Sequence, residues 1–194
     1  MIEGRGIKII LMELLILPIS FIFKYLLLIF IPMIILTLLF FRDPERVIQS
    51  GVVSPADGKI DYIDGNRMEI FMRIFDCHVN RAPVNGVVKR IVYKRGLKVP
   101  AFIRKEGVER NEIYIENRDG TFKIVQMAGF IARRIVCYVK EGDFVKKGER
   151  IGMITFGSRV VLEIPRGYLF VRRVGEKVKA GETVALKYED IQRT

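Results

Sequence analysis

The chain has 194 residues, of which half are apolar, and carries a formal net charge of +11 at pH 7. This length accommodates one ordinary domain with an appendage and leaves little room for two domains. The single histidine, His78, excludes a metal site with two histidine ligands, and the lone thiols of Cys77 and Cys137 exclude a disulfide framework. The positive charge suits an anionic membrane or nucleic acid. Without a helix-turn-helix, zinc-finger or aromatic RNA-binding pattern, we favour the membrane and expect no nucleic-acid partner.

Residues 7–41 form an almost uninterrupted apolar stretch. One continuous helix of this length would measure about 50 Å, whereas the hydrocarbon layer of a bilayer is about 30 Å thick. A break at Lys24 gives two short helices instead. The second, residues 25–41, contains no charged residue, while the first contains Glu13 and Pro18 and could lie in the interface.

We therefore predict an N-terminal membrane-embedded helical hairpin within residues 1–43, made of one or two short helices that span the bilayer or dip into it. A secretory signal is excluded because no small-residue cleavage site follows the apolar core. A buried core helix is the alternative, but the length and lack of charge favour the membrane. Arg42 and Arg46 follow the stretch directly, which predicts a cell-membrane location with the next domain on the cytoplasmic side.

Residues 44–194 have the pattern of a β-rich domain. Short runs rich in Val, Ile, Tyr and Phe alternate with Gly, Asp and Asn turn signals, and the clearest hairpin has Asp119-Gly120 at its turn. Within this domain, residues 141–151 and 174–184 repeat one pattern at an offset of 33 residues. Each copy has a glycine turn, a buried valine and a second glycine turn before an apolar strand.

This repeat resembles the two halves of the barrel-sandwich domains that carry biotin or lipoic acid. We therefore predict a mainly β, barrel-sandwich-like domain. Carrier domains present a modified lysine on the hairpin between their halves, whereas this chain has Gly157-Ser158 there. A non-enzymatic, membrane-tethered adaptor or carrier is the alternative function, and it predicts an intact polypeptide.

Gly157 and Ser158 interrupt an apolar strand pattern and form the pair needed for cleavage of the backbone. The Ser158 hydroxyl can attack the Gly157 carbonyl and convert the amide to an ester, and glycine permits the close approach. Elimination of the ester would leave dehydroalanine, which loses ammonia to become a pyruvoyl group at the new N-terminus. Gly-Ser alone is also typical of a strand bulge or turn.

Five segments in order extend the pattern: FFRDPER after the apolar stretch, SPADGKI at 54–60, DCHVNRAPVNG at 76–86, QMAGFIARRIVCYV at 126–139 and GERIGMITFGSRV at 148–160. Through these segments the chain resembles the phosphatidylserine decarboxylase proenzymes in their short, membrane-anchored form. The resemblance runs over nearly the whole length.

The resemblance implies cleavage between Gly157 and Ser158, into a β chain of residues 1–157 and an α chain of residues 158–194 that starts with the pyruvoyl group. It implies a serine phospholipid substrate, with acyl-ester or isoprenoid-ether tails, that is decarboxylated to the ethanolamine lipid. The ketone would accept the substrate amine as a Schiff base and take up the electrons left by CO2, so we expect no external cofactor and no metal. Whether chains pair into homodimers stays open.

Two further residues are implied for catalysis. Asp57, in SPADG, matches the acidic partner of self-cleavage, and a turn aspartate bonded to its own backbone is the alternative. His78 matches the first of two histidines in longer bacterial relatives, but the second position is Arg81, which cannot act as a base. We expect His78 to protonate the carbanion after CO2 leaves, and Asp57 to help activate Ser158 directly or through His78.

Arginines are the candidates for binding the substrate headgroup. Arg81, Arg133 and Arg134 carry guanidinium groups that suit a phosphate or a carboxylate. A structural or solvated ion pair is an equally good interpretation of each.

Overall fold

The computed structural model describes residues 4–22, 24–96, 107–129, 135–155 and 158–192. The chain divides into two compact units, Met1–Glu45 and Arg46–Thr194.

The first unit consists of two helices, α1 (Gly4–Ile22) and α2 (Lys24–Phe40), which pack side by side. The carboxylate of Glu13 is buried in α1, and the Thr37 hydroxyl of α2 lies 3.0 Å from its Oε1 atom. This contact gives the one acidic side chain of the apolar stretch a polar partner. Within the described residues neither helix is both long and apolar enough to cross a bilayer. The predicted pair of helices is present, and its embedding in a membrane stays a prediction.

The second unit is built almost entirely of short antiparallel strands, which confirms the prediction of a mainly β domain. Its described strands are β1 (Val52–Val53), β2 (Gly58–Asp64), β3 (Arg67–Met72), β4 (Val79–Arg81), β5 (Gly86–Lys94), β6 (Arg110–Asn117), β7 (Gly120–Ala128), β8 (Ile135–Cys137), β9 (Phe144–Val145), β10 (Arg150–Ile154), β11 (Ser158–Glu163), β12 (Tyr168–Phe170), β13 (Lys177–Val178) and β14 (Thr183–Lys187). A short helix, α3 (Tyr188–Ile191), follows.

These strands form one large sheet and two small ones. The large sheet has the order β13-β2-β3-β11-β7-β6-β5-β9, and the small sheets have the orders β4-β10-β8 and β1-β14-β12. The large sheet is symmetric about its centre, between β11 and β7, because each strand of one half has a counterpart in the other half. The counterparts are β13 with β9, β2 with β5, β3 with β6 and β11 with β7. The small sheets correspond in the same way.

The hydrogen bonds of the predicted repeat show this symmetry in detail. Gly142 has φ 94° and donates its N–H to Val88 O at 2.8 Å, and its counterpart Gly175 has φ 100° and donates to Ile60 O at 2.7 Å. Only glycine adopts this left-handed backbone at low cost, so the glycines of the repeat are required by the turns. The repeat seen in the sequence is therefore a repeat in structure.

A second pair of equivalent turns was not predicted. The side-chain Oδ1 of Asp57 accepts a hydrogen bond from Ala180 N at 2.8 Å, and Asn85 Oδ1 accepts one from Lys147 N at 2.6 Å. Ala180 and Lys147 are themselves separated by the 33-residue offset. Asp57 and Asn85 therefore occupy equivalent positions in the two halves.

The hydrophobic core lies between the large sheet and the two small sheets. Alternate residues of each strand point inward, as the twofold period of a strand requires. The inward side chains of the large sheet include Ile60, Ile70, Ile124 and Val160, and they pack with residues of the small sheets such as Ile151.

The opposite face of the large sheet carries charged side chains, among them the buried Glu112 of β6. Its carboxylate receives a hydrogen bond from Arg110 Nε at 2.7 Å and one from the Tyr114 hydroxyl at 2.8 Å, and Lys94 Nζ lies at 3.2 Å. Burial raises the pKa of the Glu112 carboxyl, but these donors and the nearby Lys123 outweigh burial and lower the pKa from 4.5 to about 2.

We expect Glu112→Gln to lower the free energy of unfolding at pH 7 by about 2 kcal/mol. Because the folded-state pKa is depressed, this stabilisation is fully present above the unfolded pKa of 4.5 and is lost as the pH falls towards 2. Urea unfolding at several pH values should show that the free energies of unfolding of the wild type and of Glu112→Gln converge in acid. Glu116→Gln, which removes an exposed carboxylate 3.4 Å from Lys89, should have little effect at any pH. Equal losses of unfolding free energy in the Glu112→Gln and Glu116→Gln proteins would contradict the lowered pKa assigned to Glu112.

Candidate active site

One end of the large sheet is the place where three chain segments cross to the small sheet β4-β10-β8. The segments are residues 73–78 between β3 and β4, residues 129–134 between β7 and β8, and residues 155–157 between β10 and β11. We call this end the site edge. The last complete row of paired residues before it contains Lys59, Phe71, Arg159, Met127, Arg110 and Lys94.

Ser158 is the first residue of β11 and lies at the site edge. Its backbone is paired with Met72 of β3 on one side and Ala128 of β7 on the other. Gly157, the other half of the predicted cleavage site, lies outside the described residues. The predicted scissile bond therefore belongs to a three-residue connection that begins after Ile154, the last residue of β10.

The other end of this connection is fixed as well. Ile154 is paired with Ile135 of β8 and donates its N–H to His78 O at 3.3 Å. Three residues separate Ile154 from Ser158, and the four steps between consecutive Cα atoms can span at most about 14 Å. The residues on either side of the connection, Ile154 and Ser158, are thus held in strands of different sheets, and the backbone of His78 contacts the first of them.

His78 is fully buried, and its ring is oriented by the backbone of its own segment. Nδ1 lies 2.8 Å from Asp76 O. A carbonyl oxygen only accepts, so we assign the proton of this hydrogen bond to Nδ1. In the neutral ring Nε2 then carries the lone pair, and it is the ring atom suited to proton transfer.

Asp57 also lies at the site edge, two residues before Lys59 of β2. Lys59 and Arg159, the residue after Ser158, share one row two strands apart, which corresponds to about 10 Å. The carboxylate of Asp57 is buried, with Oδ2 2.5 Å from Arg46 Nη2 and Oδ1 bonded to Ala180 N. Both oxygens therefore already have partners.

Sequence reasoning missed the contact between Arg46 and Asp57. Arg46 lies in FFRDPER and was used only as an indicator of membrane orientation. Its presence within a segment shared with the resembled family was the available signal. As a result, Asp57 is held from two directions, by a cation and by a turn of the repeat.

Of the three arginines predicted to bind substrate, the structure describes only Arg81. This residue lies in β4, is buried, and donates from Nη1 to Gly148 O at 3.0 Å, so it supports a turn of the repeat. Its role toward substrate stays a prediction. Arg133 and Arg134 lie outside the described residues.

A chain of buried amide side chains crosses the core near the site edge. Gln126 Nε2 donates to Asn80 Oδ1 at 2.8 Å, and Asn111 Nδ2 donates to Gln126 Oε1 at 3.0 Å. Asn80 lies two residues after His78, and Gln126 lies two residues before Ala128, the partner of Ser158. Polar residues at inward positions of strands were the signal that the sequence offered for this chain.

Arg159 fixes the start of β11 from the outer face of the sheet. Its guanidinium is 4% exposed and forms ion pairs with Asp61 at 2.7 Å and with Glu69 at 2.5 Å. Both carboxylates belong to the hairpin β2–β3. The residue next to Ser158 is therefore held in place by charges as well as by backbone pairing.

The comparisons agree with the motifs. The phosphatidylserine decarboxylase family matches residues 34–186. A protein of Archaeoglobus fulgidus with the provisional name archaetidylserine decarboxylase proenzyme is 58% identical over 193 residues, which cover 99% of each chain. The phosphatidylserine decarboxylase proenzyme of Beijerinckia indica is 44% identical over 164 residues, which cover 75% of this chain and 71% of that protein.

Among solved structures, the glucose permease IIA from Mycoplasma capricolum covers 69% of this chain and 92% of its own, with 15% identity and a TM-score of 0.40. That similarity is too low to support an argument. The match over residues 34–186 and the two relatives are sufficient: this chain belongs to the phosphatidylserine decarboxylase family.

Proposed function

We propose that this chain is the precursor of a self-processing, pyruvoyl-dependent decarboxylase that converts a serine phospholipid to the ethanolamine phospholipid and CO2. The observation that carries the proposal is the position of Ser158 at the start of β11, separated by three residues from Ile154, whose backbone N–H donates to His78 O. The names of the relatives, all decarboxylase proenzymes, support this function over the carrier alternative. They include both archaetidylserine and phosphatidylserine enzymes, so the proposed substrate is defined by its headgroup.

Self-cleavage is compatible with the fold because both products stay anchored. In the proposed reaction the Ser158 hydroxyl oxygen bonds to the Gly157 carbonyl carbon and the amide C–N bond breaks, which leaves an ester. Elimination then releases the carboxylate of Gly157 and leaves dehydroalanine, and water replaces its amine as ammonia departs. After cleavage, strand β11 of the α chain would stay in the centre of the large sheet. Strand β13 would stay paired with β2, and β14 would stay paired with β1 and β12.

The pyruvoyl ketone would supply a carbonyl carbon for the substrate amine and an acceptor for the electron pair that CO2 leaves behind. The remaining tasks belong to side chains. In the protonated ring of His78, Nε2 carries a transferable proton while Nδ1 keeps its own on Asp76 O. Burial of His78 also limits the access of water to this proton.

Asp57 is the proposed acidic partner of self-cleavage. Its place at the site edge supports this role, and its contacts limit how its carboxylate can accept a proton. Oδ2 already accepts from Arg46 and Oδ1 from Ala180 N, so Asp57 would take the Ser158 proton with a remaining lone pair of one of these oxygens, or would act through His78.

Membrane attachment through the first unit is part of the proposal. Large apolar side chains on both helices are exposed, with Leu15 of α1 79% and Leu28 of α2 73% accessible. A lipid environment would cover them. Arg42 and Arg46 support a cytoplasmic position for the second unit, and the internal symmetry supports a barrel-sandwich-like description of it.

Purified wild-type protein should split into residues 1–157 and 158–194, and Ser158→Ala should remain whole. The reason is that alanine has no hydroxyl to attack the Gly157 carbonyl. Denaturing mass spectrometry measures both chains and the blocked N-terminus of the smaller one. Ser50→Ala, at an exposed serine, is the matched control and should split normally. An uncut wild-type chain with an ordinary serine would refute the proposal.

His78→Asn should split but decarboxylate at least about 100-fold more slowly. The asparagine amide can replace Nδ1 as donor to Asp76 O, which preserves the local hydrogen bond, but it has no titratable nitrogen. Splitting is followed by mass and turnover by CO2 release. Loss of splitting in a variant whose circular dichroism is unchanged would instead place His78 in processing.

Asp57→Asn tests the acidic partner with a built-in control. The amide oxygen can still accept from Ala180 N, as Asn85 does from Lys147 N, so we expect the variant to fold. Without the carboxylate, self-cleavage should slow at least about tenfold, as measured by the time course of chain splitting. Asn85→Asp, the equivalent change in the other half, should split at the wild-type rate. Identical time courses for all three proteins would reduce Asp57 to its turn-forming role.

A further inference from the structure

The connection between β3 and β4 exposes two large apolar side chains at the site edge. Ile74 is 39% and Phe75 is 64% accessible, and the preceding Arg73 is exposed. The backbone around them is closed on itself, because Arg73 N donates to Asp76 Oδ2 at 2.7 Å and Asp76 N donates to Arg73 O at 2.9 Å. The turn thus holds Ile74 and Phe75 at its tip in a defined geometry.

This turn and the catalytic histidine belong to one short segment. Phe75 is exposed and His78, three residues later, is fully buried. The same segment leaves β3 at Met72, the partner of Ser158. A surface that holds the tip of this turn at a fixed depth therefore also fixes the distance between that surface and the site.

The two ends of the large sheet differ in composition. At the end opposite the site edge, the turns at 65–66, 118–119 and 165–167 consist of glycine, asparagine, arginine, aspartate and proline, and the exposed ring of Phe144 lies there in strand β9 and not in a turn. The site edge combines the apolar tip and the exposed Arg73 with a further exposed cation, Arg95, which follows β5, four strands from β3 in the order of the large sheet. An apolar tip next to an exposed arginine, on an edge with a further cation, is the composition of a surface that enters an anionic lipid interface.

We infer that the turn 73–76 is a lipid-contact element, which inserts Ile74 and Phe75 among the headgroups and sets the site edge against the bilayer. The inference rests on the proposed function, since a serine phospholipid presents its headgroup only at the membrane surface. A bilayer is favoured over a protein partner because the headgroup carries a phosphate and a carboxylate, which attract Arg73 and Arg95. This contact is separate from the attachment proposed for α1 and α2.

The chain contains no tryptophan, so one introduced indole reports on one position. The reporter is Phe75→Trp, and the matched control is Phe144→Trp, since Phe144 has a similar accessibility of 62%. Phe144 pairs with Val87, seven residues from Lys94 along β5, so it lies about 23 Å from the site edge. Both proteins keep the full chain, including the two helices, and both carry Ser158→Ala so that cleavage plays no part.

With vesicles of phosphatidylserine and phosphatidylcholine, the emission of the Phe75→Trp protein should shift to the blue. Brominated lipid should quench it at least about threefold more strongly than the emission of the Phe144→Trp protein. Equal quenching of the two proteins would overturn the inference. If the wild-type protein stays uncut but the Phe75→Trp protein still enters the lipid, the result would support the inference and refute only the proposed function.

A second measurement uses activity without the Ser158→Ala change. Phe75→Ser should lower decarboxylation of vesicle-embedded phosphatidylserine about tenfold and leave the rate with a short-chain, monomeric phosphatidylserine unchanged. Phe144→Ser should change neither rate. A Phe75→Ser protein that loses both activities equally would show that the turn acts on the chemistry and would contradict a role in lipid contact.

Discussion

The central constraint in this molecule is that the connection 155–157 is fixed at both ends by strands of different sheets. Ile154 is held by β8 and by the backbone of His78, and Ser158 is held between β3 and β7. Ends held in this way limit the distance that the three residues between them must bridge, which would lower the cost of ordering the groups in the proposed reaction. In the proposed cleavage the same constraint would keep the products together, because Ile154 and Ser158 are each held by strand pairing that does not involve the bond.

The two halves of the second unit are interleaved, and this interleaving creates the constraint. One half is continuous, from β4 to β10, whereas the other is split into β1–β3 and β11–β14. The chain therefore passes between the halves twice, through residues 73–78 and residues 155–157. Both passages lie at the site edge. His78 is on the first and the Gly157-Ser158 pair is at the second, so the site lies where the symmetry of the fold is interrupted.

Local patterns predicted the parts of this arrangement that glycines and strand periodicity encode. The repeat at an offset of 33 residues was visible because its turns require glycine, and the predicted break at Lys24 agrees with a helix α1 that ends at Ile22 and a helix α2 that begins at Lys24. The equivalence of Asp57 and Asn85 was missed because its copies share only a four-residue pattern, proline, any residue, aspartate or asparagine, and glycine, at 55–58 and 83–86. The pairing of Arg159 with Asp61, 98 residues apart, depends on strand register, which no local pattern specifies.

The symmetry also separates two roles that Asp57 would otherwise combine. At the equivalent position, a neutral asparagine oxygen is sufficient to hold the turn, since Asn85 binds Lys147 N as Asp57 binds Ala180 N. The negative charge of Asp57 is therefore not needed for that turn. It is balanced by Arg46 at 2.5 Å, and a buried carboxylate that requires such a partner is costly to retain. A charge kept at this cost, at the end of the sheet that also holds His78 and Ser158, is better explained by chemistry than by folding.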